Sequence, residues 1–257
     1  ADRLTCAGMK NGIAIDGLGK RYGRQWVLRD VDCAFKPGEV IMLIGPNASG
    51  KTTLIKCLLG LVRPAQGRIT IGDTTITSAA APDPSYRARI GYMPQISQFP
   101  GALTIRQLLE MMADIRGIAP GALDEELIEE LGLRDQLDKR LGALSGGTRQ
   151  KVSAILAFRS QPDVLVMDEP TAGLDPVTAS RVLARAGRVR DAGGIVLITS
   201  HLMEEVESLA DRVAYLQDGH LHFLMPVREM LEVTGAQRLA VALPRLLAQA
   251  ARPAPVV

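Results

Sequence analysis

The chain has 257 residues and carries 30 basic and 28 acidic side chains, which gives a formal net charge of +2. Hydrophobic residues make up 47% and charged residues 23% of it, a mixture that excludes wholesale disorder. The near-neutral charge supplies no broad basic field, so no nucleic-acid partner is predicted. The length suffices for one large α/β domain or two small ones.

Membrane insertion and export leave no signal in the sequence. The longest apolar stretches, such as residues 40–44, have the length of a strand, whereas a bilayer span needs roughly 20 consecutive apolar residues. We predict no export signal, because no basic segment leads into an apolar stretch with a cleavage site. The cysteines Cys6, Cys33 and Cys57 lack the spacing of metal ligands. We interpret them as reduced, structural thiols in a cytosolic protein.

The first part of the chain predicts an antiparallel β region followed by a buried strand. Short extended runs at 13–15 and 26–28 flank a Gly-rich turn at 20–23. Residues 39–44 are typical of a buried strand, which ends in a Gly-rich loop. A helix is predicted to follow this loop over about residues 51–59.

The middle of the chain changes to helical spacing after a further short strand at 69–72. Ile105, Leu108 and Leu109 fall on one face of a helix, and the region around 123–131 repeats that spacing. We therefore predict a mostly helical insertion from about Gly101 to Gly142, which belongs to a helical subdomain of about residues 101–158.

Alternation of strands and helices resumes after this insertion. Buried strands are predicted at 164–167 and 195–198, with a helix from Pro176 between them, which predicts a parallel sheet covered on both faces. Beyond Pro226 the pattern fades. We predict one domain over residues 10–224 and a short, partly disordered C-terminal extension over 225–257, with a loose tail at 252–257.

The strongest chemical signal is a G-x-x-x-x-G-K-T loop with a buried strand before it and a helix after it. Glycines in such a loop let backbone N–H groups turn inward on phosphate oxygens, and the helix N-terminus adds partial positive charge. The lysine can reach the β- and γ-phosphates, and the following threonine hydroxyl can bind Mg²⁺. The candidate ATP-binding residues are Gly45, Pro46, Asn47, Ala48, Ser49, Gly50, Lys51, Thr52 and Thr53.

One residue of this loop departs from the usual glycine. Ala48 stands where the freedom of glycine at positive φ is useful. The substitution predicts strain on the order of 1 kcal/mol.

An acidic pair follows the predicted strand 164–167. Asp168 and Glu169 lie at the carboxyl end of this strand, where open α/β sheets bind their ligands. Asp168 suits the coordination of Mg²⁺, and Glu169 suits a base that polarises an attacking water. Such a pair alone is typical of a surface turn or a helix cap, but behind a phosphate-binding loop the catalytic interpretation is favoured.

The guanine-reading motif Asn-Lys-x-Asp of GTPases is absent, because the only asparagines are Asn11 and Asn47. A Leu-Ser-Gly-Gly-Thr-Arg-Gln segment at 144–150 precedes a predicted helix. In order and spacing, the motifs of residues 13–224 resemble those of the ATP-binding cassette (ABC) ATPases. The resemblance implies a P-loop NTPase core with a mostly parallel sheet, an N-terminal antiparallel β subdomain and a helical insertion. The positions that complete the motif set are Tyr22, Gln95, Asp175 and His201.

The resemblance implies a role for each of these side chains. Tyr22 would stack on adenine, although packing on the core is the alternative for a tyrosine in a turn. Gln95 would contact Mg²⁺ and the attacking water. His201 would hydrogen-bond the γ-phosphate and hold the water in line with Glu169.

The remaining motif residues are implied to act across a dimer. Ser145, Gly146 and Gly147 would bind the γ-phosphate of an ATP held by the opposite subunit. Asp175 would lie in a loop that crosses the dimer interface. The family most often has glutamine where Thr148 stands.

The resemblance further implies an ATPase that uses ATP and Mg²⁺ and forms a homodimer, with separate membrane-spanning permease subunits and a periplasmic accessory protein. Its implied location is the cytoplasmic face of the inner membrane, as a peripheral protein. The sequence segments 90–95, 108–117 and 144–158 are most similar to those of ABC-2 type exporters, and within them to ATPases of the copper-site maturation machinery of nitrous oxide reductase. The alternatives are a generic ABC-2 exporter of a drug, lipid or polysaccharide, and a soluble, non-transport ABC ATPase.

Overall fold

The computed structural model describes residues 12–79, 83–117, 124–200 and 203–250. Within these ranges ten strands form two sheets, and eight α-helices and three short 3-10 helices surround them. The strands are β1 Ile13–Tyr22, β2 Gln25–Phe35, β3 Val40–Ile44, β4 Gln66–Ile71, β5 Thr74–Thr77, β6 Ile90–Met93, β7 Val164–Asp168, β8 Ile195–Thr199, β9 Arg212–Gln217 and β10 His220–Pro226.

The helices lie in the expected alternation after β3. The 3-10 helices span Pro84–Arg89, Arg134–Gln136 and Leu141–Ala143. The α-helices are α1 Lys51–Leu58, α2 Ile105–Ile115, α3 Glu125–Glu130, α4 Gly146–Phe158, α5 Pro176–Asp191, α6 Met203–Val206, α7 Val227–Thr234 and α8 Leu239–Ala250.

The first sheet is antiparallel, in the order β2-β1-β4-β5. Its central strand is β1, in which Ile13 pairs with Phe35 on one side and with Ile71 on the other. This sheet confirms the predicted N-terminal antiparallel subdomain. Its strands are longer than the short apolar runs in the sequence, because backbone pairing continues through polar residues such as Lys20 and Arg21.

The second sheet has the order β10-β9-β3-β8-β7-β6. The five strands from β9 to β6 run parallel, and β10 pairs antiparallel with β9 at the edge. All five residues of β3, β7 and β8 are buried, as expected for strands covered on both faces. The predicted α/β fold with a mostly parallel sheet is therefore confirmed.

Alternation along β3 divides the hydrophobic core in two. Ile41 and Leu43 pack with β1, β2 and α1 on one side of the sheet. Val40 and Met42 belong to a second cluster on the other side, which includes the apolar faces of α2, α3 and α4. The central strand thus joins the antiparallel subdomain to the helical region.

The helical region lies between β6 and β7, as predicted. Thr104 and Gln107 form a capping box at the start of α2, Asp124 caps α3, and Ser145 caps α4. Buried leucines and isoleucines of α2 and α3 pack against the sheet.

The end of α4 lies directly against β6. A Cβ atom at Gly91 would stand 2.1 Å from the carbonyl oxygen of Ala157. Only glycine therefore fits between this strand and this helix.

The C-terminal region is more ordered in secondary structure than the sequence indicates. Although the apolar pattern fades beyond Pro226, α7 and α8 follow, and Met230, Leu239 and Ala242 are buried in the core cluster that contains the helical region. Pro244 lies inside α8, and a proline within an apolar pattern argues against a helix, so α8 was not predicted from the sequence. The predicted tail at 252–257 lies outside the described residues.

Candidate functional site

The candidate site lies at the carboxyl ends of three neighbouring parallel strands. The phosphate-binding loop follows β3, the acidic pair ends and follows β7, and Thr199 ends β8. Ligands of open α/β sheets bind at this edge. The fold therefore brings together two motifs that are more than a hundred residues apart in the sequence.

The loop between β3 and α1 has the conformation that its glycines require. A Cβ atom at Gly45 would lie 1.9 Å from the carbonyl oxygen of Leu216, so the loop passes close to β9. Ala48 adopts a φ of 62°, which confirms the expected left-handed conformation at a residue with a side chain. The Ser49 hydroxyl is buried with no hydrogen-bond partner among the described residues, as expected for a group that awaits a ligand.

Lys51 begins α1 and folds back over this loop. Its ammonium group donates to the carbonyl oxygens of Gly45 and Pro46 at 2.8 and 2.9 Å. Burial lowers the pKa of Lys51, while the negative charges of Glu169 and Asp168 act in the opposite direction. The lysine is thus half-buried in the field of both carboxylates, where a phosphate can replace the loop carbonyls as its partner.

The acidic pair is held by β8. Asp168 is buried, and its carboxylate accepts a hydrogen bond from the Thr199 hydroxyl at 2.5 Å. The next residue, Glu169, adopts a φ of 53°, and its backbone N–H lies 3.1 Å from both the carbonyl and the hydroxyl oxygen of Thr199. This turn leaves the Glu169 side chain half-buried beside the phosphate-binding loop.

The predicted Mg²⁺ ligands present a suitable donor set. Thr52 is exposed in the first turn of α1, and Asp168 contributes a carboxylate from the end of β7, which β8 separates from β3. Hydroxyl and carboxylate oxygens are the hard ligands that Mg²⁺ takes together with phosphate oxygens. Gln95, the third predicted ligand, is exposed just beyond β6, at the same edge of the sheet.

Tyr22 ends β1 with its ring exposed rather than packed on the core, 48% of its surface being accessible. The ammonium group of Lys20 lies 5.0 Å from the ring centroid, which places one positive charge over the ring. The alternative of a tyrosine packed on the core is therefore wrong, and the ring is accessible for stacking.

The segment before α4 presents two small polar groups at a helix start. The Ser145 side chain accepts from the backbone N–H of Thr148 at 3.2 Å, and the two hydroxyl oxygens are 2.9 Å apart. Gly146 is exposed, whereas a Cβ atom at Gly147 would lie 2.6 Å from the Gly173 carbonyl oxygen. The segment therefore faces solvent and meets the loop before α5 in the same subunit.

Asp175 caps α5 and is exposed. Its carboxylate accepts from the hydroxyl and the backbone N–H of Thr178, and these hydrogen bonds hold the pKa of Asp175 below its ordinary value. His201, the predicted γ-phosphate contact, lies outside the described residues.

Two buried polar residues of the site were missed in the sequence analysis. One is Thr199, and the other is Gln150, whose side-chain oxygen lies 3.3 Å from the Ser97 hydroxyl and whose nitrogen lies 3.5 Å from the Glu169 carbonyl oxygen. Polar residues within an apolar strand end or helix are the signal that could have indicated them, because a buried polar group requires a partner.

Among the described residues, no helix is long and apolar enough to cross a membrane. Within the same ranges, no group of three or more histidine, cysteine or acidic residues is arranged to hold a metal ion.

A parallel sheet with a phosphate-binding loop after one strand and an acidic pair at the end of the next strand but one defines a P-loop nucleotide-binding protein. Residues 28–172 match the family described as ABC transporter, which is more than half of the chain. The chain belongs to the ABC transporter family. The cassettes of this family are ATPases.

Curated relatives are ATP-binding proteins named for Nod factor export or for linearmycin resistance. The chain is 37% identical over 203 residues to the Nod factor export ATP-binding protein I of Burkholderia orbicola (strain AU 1054), covering 78% of this chain and 66% of that protein. It is 32% identical over 213 residues to the linearmycin resistance ATP-binding protein LnrL of Bacillus subtilis (strain 168), covering 81% and 67%. The chain spans about two thirds of the length of the curated relatives it matches.

Solved structures confirm the fold. The ATP-binding subunit of an ABC transporter superposes with a TM-score of 0.81 at 26% identity, covering 93% of this chain and 99% of that chain. A dimeric bacterial ABC transporter cassette superposes with a TM-score of 0.74 at 25% identity, covering 84% and 99%.

Proposed function

We propose that this chain is the ATP-hydrolysing subunit of an exporter, in which two copies close over two Mg-ATP molecules and drive separate membrane-spanning permease subunits. The observation that carries the proposal is the placement of Lys51, Asp168 and Glu169 at one edge of the sheet, with the lysine in the field of both carboxylates. Membership of the ABC transporter family supports it.

The chain's own groups account for binding. The backbone N–H groups of residues 47–52 and the ammonium of Lys51 attract the phosphates, and Tyr22 offers a ring face to adenine. Mg²⁺, bound through Thr52, Asp168 and Gln95, would neutralise charge on the phosphate oxygens.

The hydrolytic step is assigned to Glu169. Its carboxylate polarises the attacking water and accepts the water proton as the water oxygen bonds to the γ-phosphorus and the bond to the β-phosphate oxygen breaks. His201 and Gln95 are proposed to hold the same water.

The chemical step is tested by Glu169→Gln, which keeps the shape of the side chain but removes the base. We expect ATP binding to persist and steady-state hydrolysis to fall at least about 100-fold. Glu232→Gln is the control, because Glu232 is exposed on α7 and pairs only with Arg228 among the contacts described. A Glu169→Gln protein that hydrolyses ATP at the wild-type rate contradicts the assignment.

Dimerisation is proposed to depend on ATP. The surfaces that would meet, the exposed Ser145 segment and the phosphate-binding loop, are polar and unsuited to a dry interface on their own. The subunit should be monomeric without Mg-ATP and dimeric with it in the Glu169→Gln variant. Ser145→Arg should block the dimer while leaving the fold intact, as measured by light scattering and circular dichroism.

The proposed docking surface for the permease consists of Ile96, Met111 and Ile115. These apolar side chains are exposed, Ile96 by 72% and Ile115 by 69%, although they belong to the helical region and to the loop that carries Gln95. Met111 and Ile115 are four residues apart on α2 and so lie on one face of it, and exposed apolar groups that lie together mark interaction sites. Contact here would couple the permease to Gln95 at the cytoplasmic face of the inner membrane.

This surface is tested by Ile115→Asp in cells that express the permease. We expect less subunit in the membrane fraction and unchanged thermal stability, because the side chain is exposed. Val233→Asp, on α7, changes a similarly exposed residue away from this surface and should bind normally. Equal loss in both variants would refute the location.

We propose that the exporter is of the ABC-2 type, because the relatives are named for Nod factor export and linearmycin resistance. The narrower proposal, copper-site maturation of nitrous oxide reductase with a periplasmic accessory protein, rests on the resemblance of residues 90–95, 108–117 and 144–158. Deletion of the gene tests it: a target enzyme that lacks its copper centre supports the narrower proposal, and a fully metallated target refutes it.

A further inference from the structure

Thr199 is the buried end of β8, directly opposite the residue that ends β7. The ladder pairs Thr199 with Asp168, and no part of Thr199 is accessible to solvent. Its hydroxyl donates to the Asp168 carboxylate at 2.5 Å and accepts from the Glu169 backbone N–H at 3.1 Å. One hydroxyl group therefore contacts both members of the acidic pair.

The Thr199 hydroxyl is the donor in one of these hydrogen bonds and the acceptor in the other, and a hydroxyl group can do both at once. It has one proton to give and lone pairs to accept with. Asp168, when ionised, only accepts, and a backbone N–H only donates. The arrangement fixes the Thr199 hydroxyl proton toward Asp168 and leaves a lone pair for Glu169.

Glu169 needs such support because its backbone is in a region that residues with a Cβ rarely adopt. Its φ is 53°, a value that glycine adopts without crowding but that is strained for a residue with a Cβ atom. Its carbonyl oxygen accepts from the Ala172 N–H at 3.2 Å and lies 3.5 Å from the Gln150 side-chain nitrogen. The peptide groups on both sides of Glu169 are thus held by neighbouring elements.

We propose that Thr199 is a positioning residue for ATP hydrolysis: its hydroxyl sets where the Asp168 carboxylate and the Glu169 side chain stand relative to each other. This inference rests on the proposed function, in which Glu169 is the base. Thr199 acts through these two residues and does not touch the nucleotide.

The decisive variant is Thr199→Val, which replaces the hydroxyl by a methyl group of nearly equal size. The Glu169 N–H then keeps only the Thr199 carbonyl, and Asp168 loses a donor in a buried position. We expect kcat to fall about 10- to 100-fold, as is typical when the partner that orients a catalytic group is removed. The KM and the dissociation constant for ATP should change by less than about twofold, because the phosphate-binding loop is intact.

Two further variants serve as controls. Thr199→Ser retains the hydroxyl and should retain most of the wild-type kcat. Thr234→Val removes another buried threonine hydroxyl, which donates to the Met230 carbonyl at 2.7 Å in α7, far along the chain from the site. It should lower thermal stability without lowering kcat. If Thr199→Val does not fold, Thr199→Ala is measured in its place against the same controls.

Hydrogen exchange supplies a readout that does not depend on hydrolysis. The Glu169 amide is bonded to two oxygens of Thr199 in the wild type. Without the hydroxyl it should exchange faster with solvent deuterium in the nucleotide-free protein, whereas Thr199→Ser should preserve the wild-type rate.

The outcomes separate this inference from the proposed function. Glu169→Gln with wild-type hydrolysis overturns the proposed function. A stalled Glu169→Gln together with a Thr199→Val protein of wild-type kcat overturns only the positioning role. The positioning role is also overturned if kcat falls equally in Thr199→Val and Thr199→Ser, because Thr199→Ser keeps the hydroxyl. An unchanged Glu169 amide exchange rate in Thr199→Val overturns it as well, because the hydroxyl then does not hold this amide.

Discussion

The guanidinium group of Arg185 lies 2.6 Å from the carboxylate of Asp124, and about four fifths of each side chain is buried. Asp124 uses its other carboxylate oxygen to cap α3, so one residue both starts this helix and connects it to α5. Since α5 is capped by Asp175 beside the candidate site, this ion pair joins the helical region to the core through a helix that starts at the site.

Loss of this ion pair should destabilise the protein more than loss of an exposed one. We expect Arg185→Ala to lower the free energy of unfolding by about 1–3 kcal/mol, because it leaves a largely buried carboxylate without its partner. Arg188→Ala is the matched control on the same helix, since Arg188 pairs with Glu126 and Glu130 but is 57% exposed. It should cost less than about 1 kcal/mol. Equal costs in urea unfolding would contradict the distinction.

The left-handed Ala48 predicts a stabilising substitution. Ala48→Gly should raise the free energy of unfolding by up to about 1 kcal/mol, because glycine adopts a φ of 62° without crowding. Ala102→Gly is the control: Ala102 is also exposed in a loop but has no positive φ, so added freedom in the unfolded chain should make this change destabilising. Shifts of the same sign in both variants would show that strain at Ala48 is not the cause.

Two helix caps with the same hydrogen-bond distance allow the effect of Ser145 on stability to be distinguished from its effect on dimerisation. Ser145 caps α4 and Thr104 caps α2, each accepting a backbone N–H at 3.2 Å. Ser145→Ala and Thr104→Ala should each cost about 1 kcal/mol in denaturant unfolding. In the Glu169→Gln background, only Ser145→Ala should also weaken the dimer that Mg-ATP forms, as measured by analytical ultracentrifugation. If Thr104→Ala weakens it equally, Ser145 has no special role across the interface.

Burial raises the pKa of the Cys57 thiol to about 11, from an ordinary value of 9.0. In a variant whose other two cysteines are serine, we expect Cys57 to resist thiol reagents at pH 8 until the protein unfolds. The unfolded chain loses this proton near pH 9, before the folded protein does. The contribution of Cys57 to the free energy of unfolding should therefore be constant below pH 9 and fall between pH 9 and about 11, and Cys57→Ala should remove this part of the pH dependence.

Rapid labelling of Cys57 at pH 8 in the native protein would contradict its burial. The control is the rate of labelling in 6–8 M urea, which should be that of an ordinary thiol because the reagent then meets the unfolded chain.

The order of sheets and helices could be predicted because the apolar pattern in this chain is strong at the buried parallel strands. Residues 40–44 and 164–167 are continuous apolar runs, and each leads into a motif of known chemistry. The strand β9 was not predicted, because its buried apolar run is short and has a polar residue at each end, Arg212 and Gln217.

The site could be predicted only as far as its motifs extend. Lys51 and the acidic pair lie in segments whose spacing defines a phosphate-binding edge. Thr199 belongs to no such segment, and Gln150 ends the segment 144–150 without a role that its spacing could assign. Their importance follows from contacts between β7, β8 and α4 that exist only after folding. The apolar pattern weakens beyond Pro226, so α8 was not predicted, although this helix buries one apolar face despite Pro244.

The contact between Gly91 and the Ala157 carbonyl means that backbone alone sets the spacing of β6 and α4. Elsewhere in the helical region, larger or smaller side chains can tune how tightly it rests on the sheet, but here no such adjustment is available. Any side chain at position 91 would therefore have to displace the end of α4 from β6, and the separation of this strand from this helix would grow by the size of that side chain.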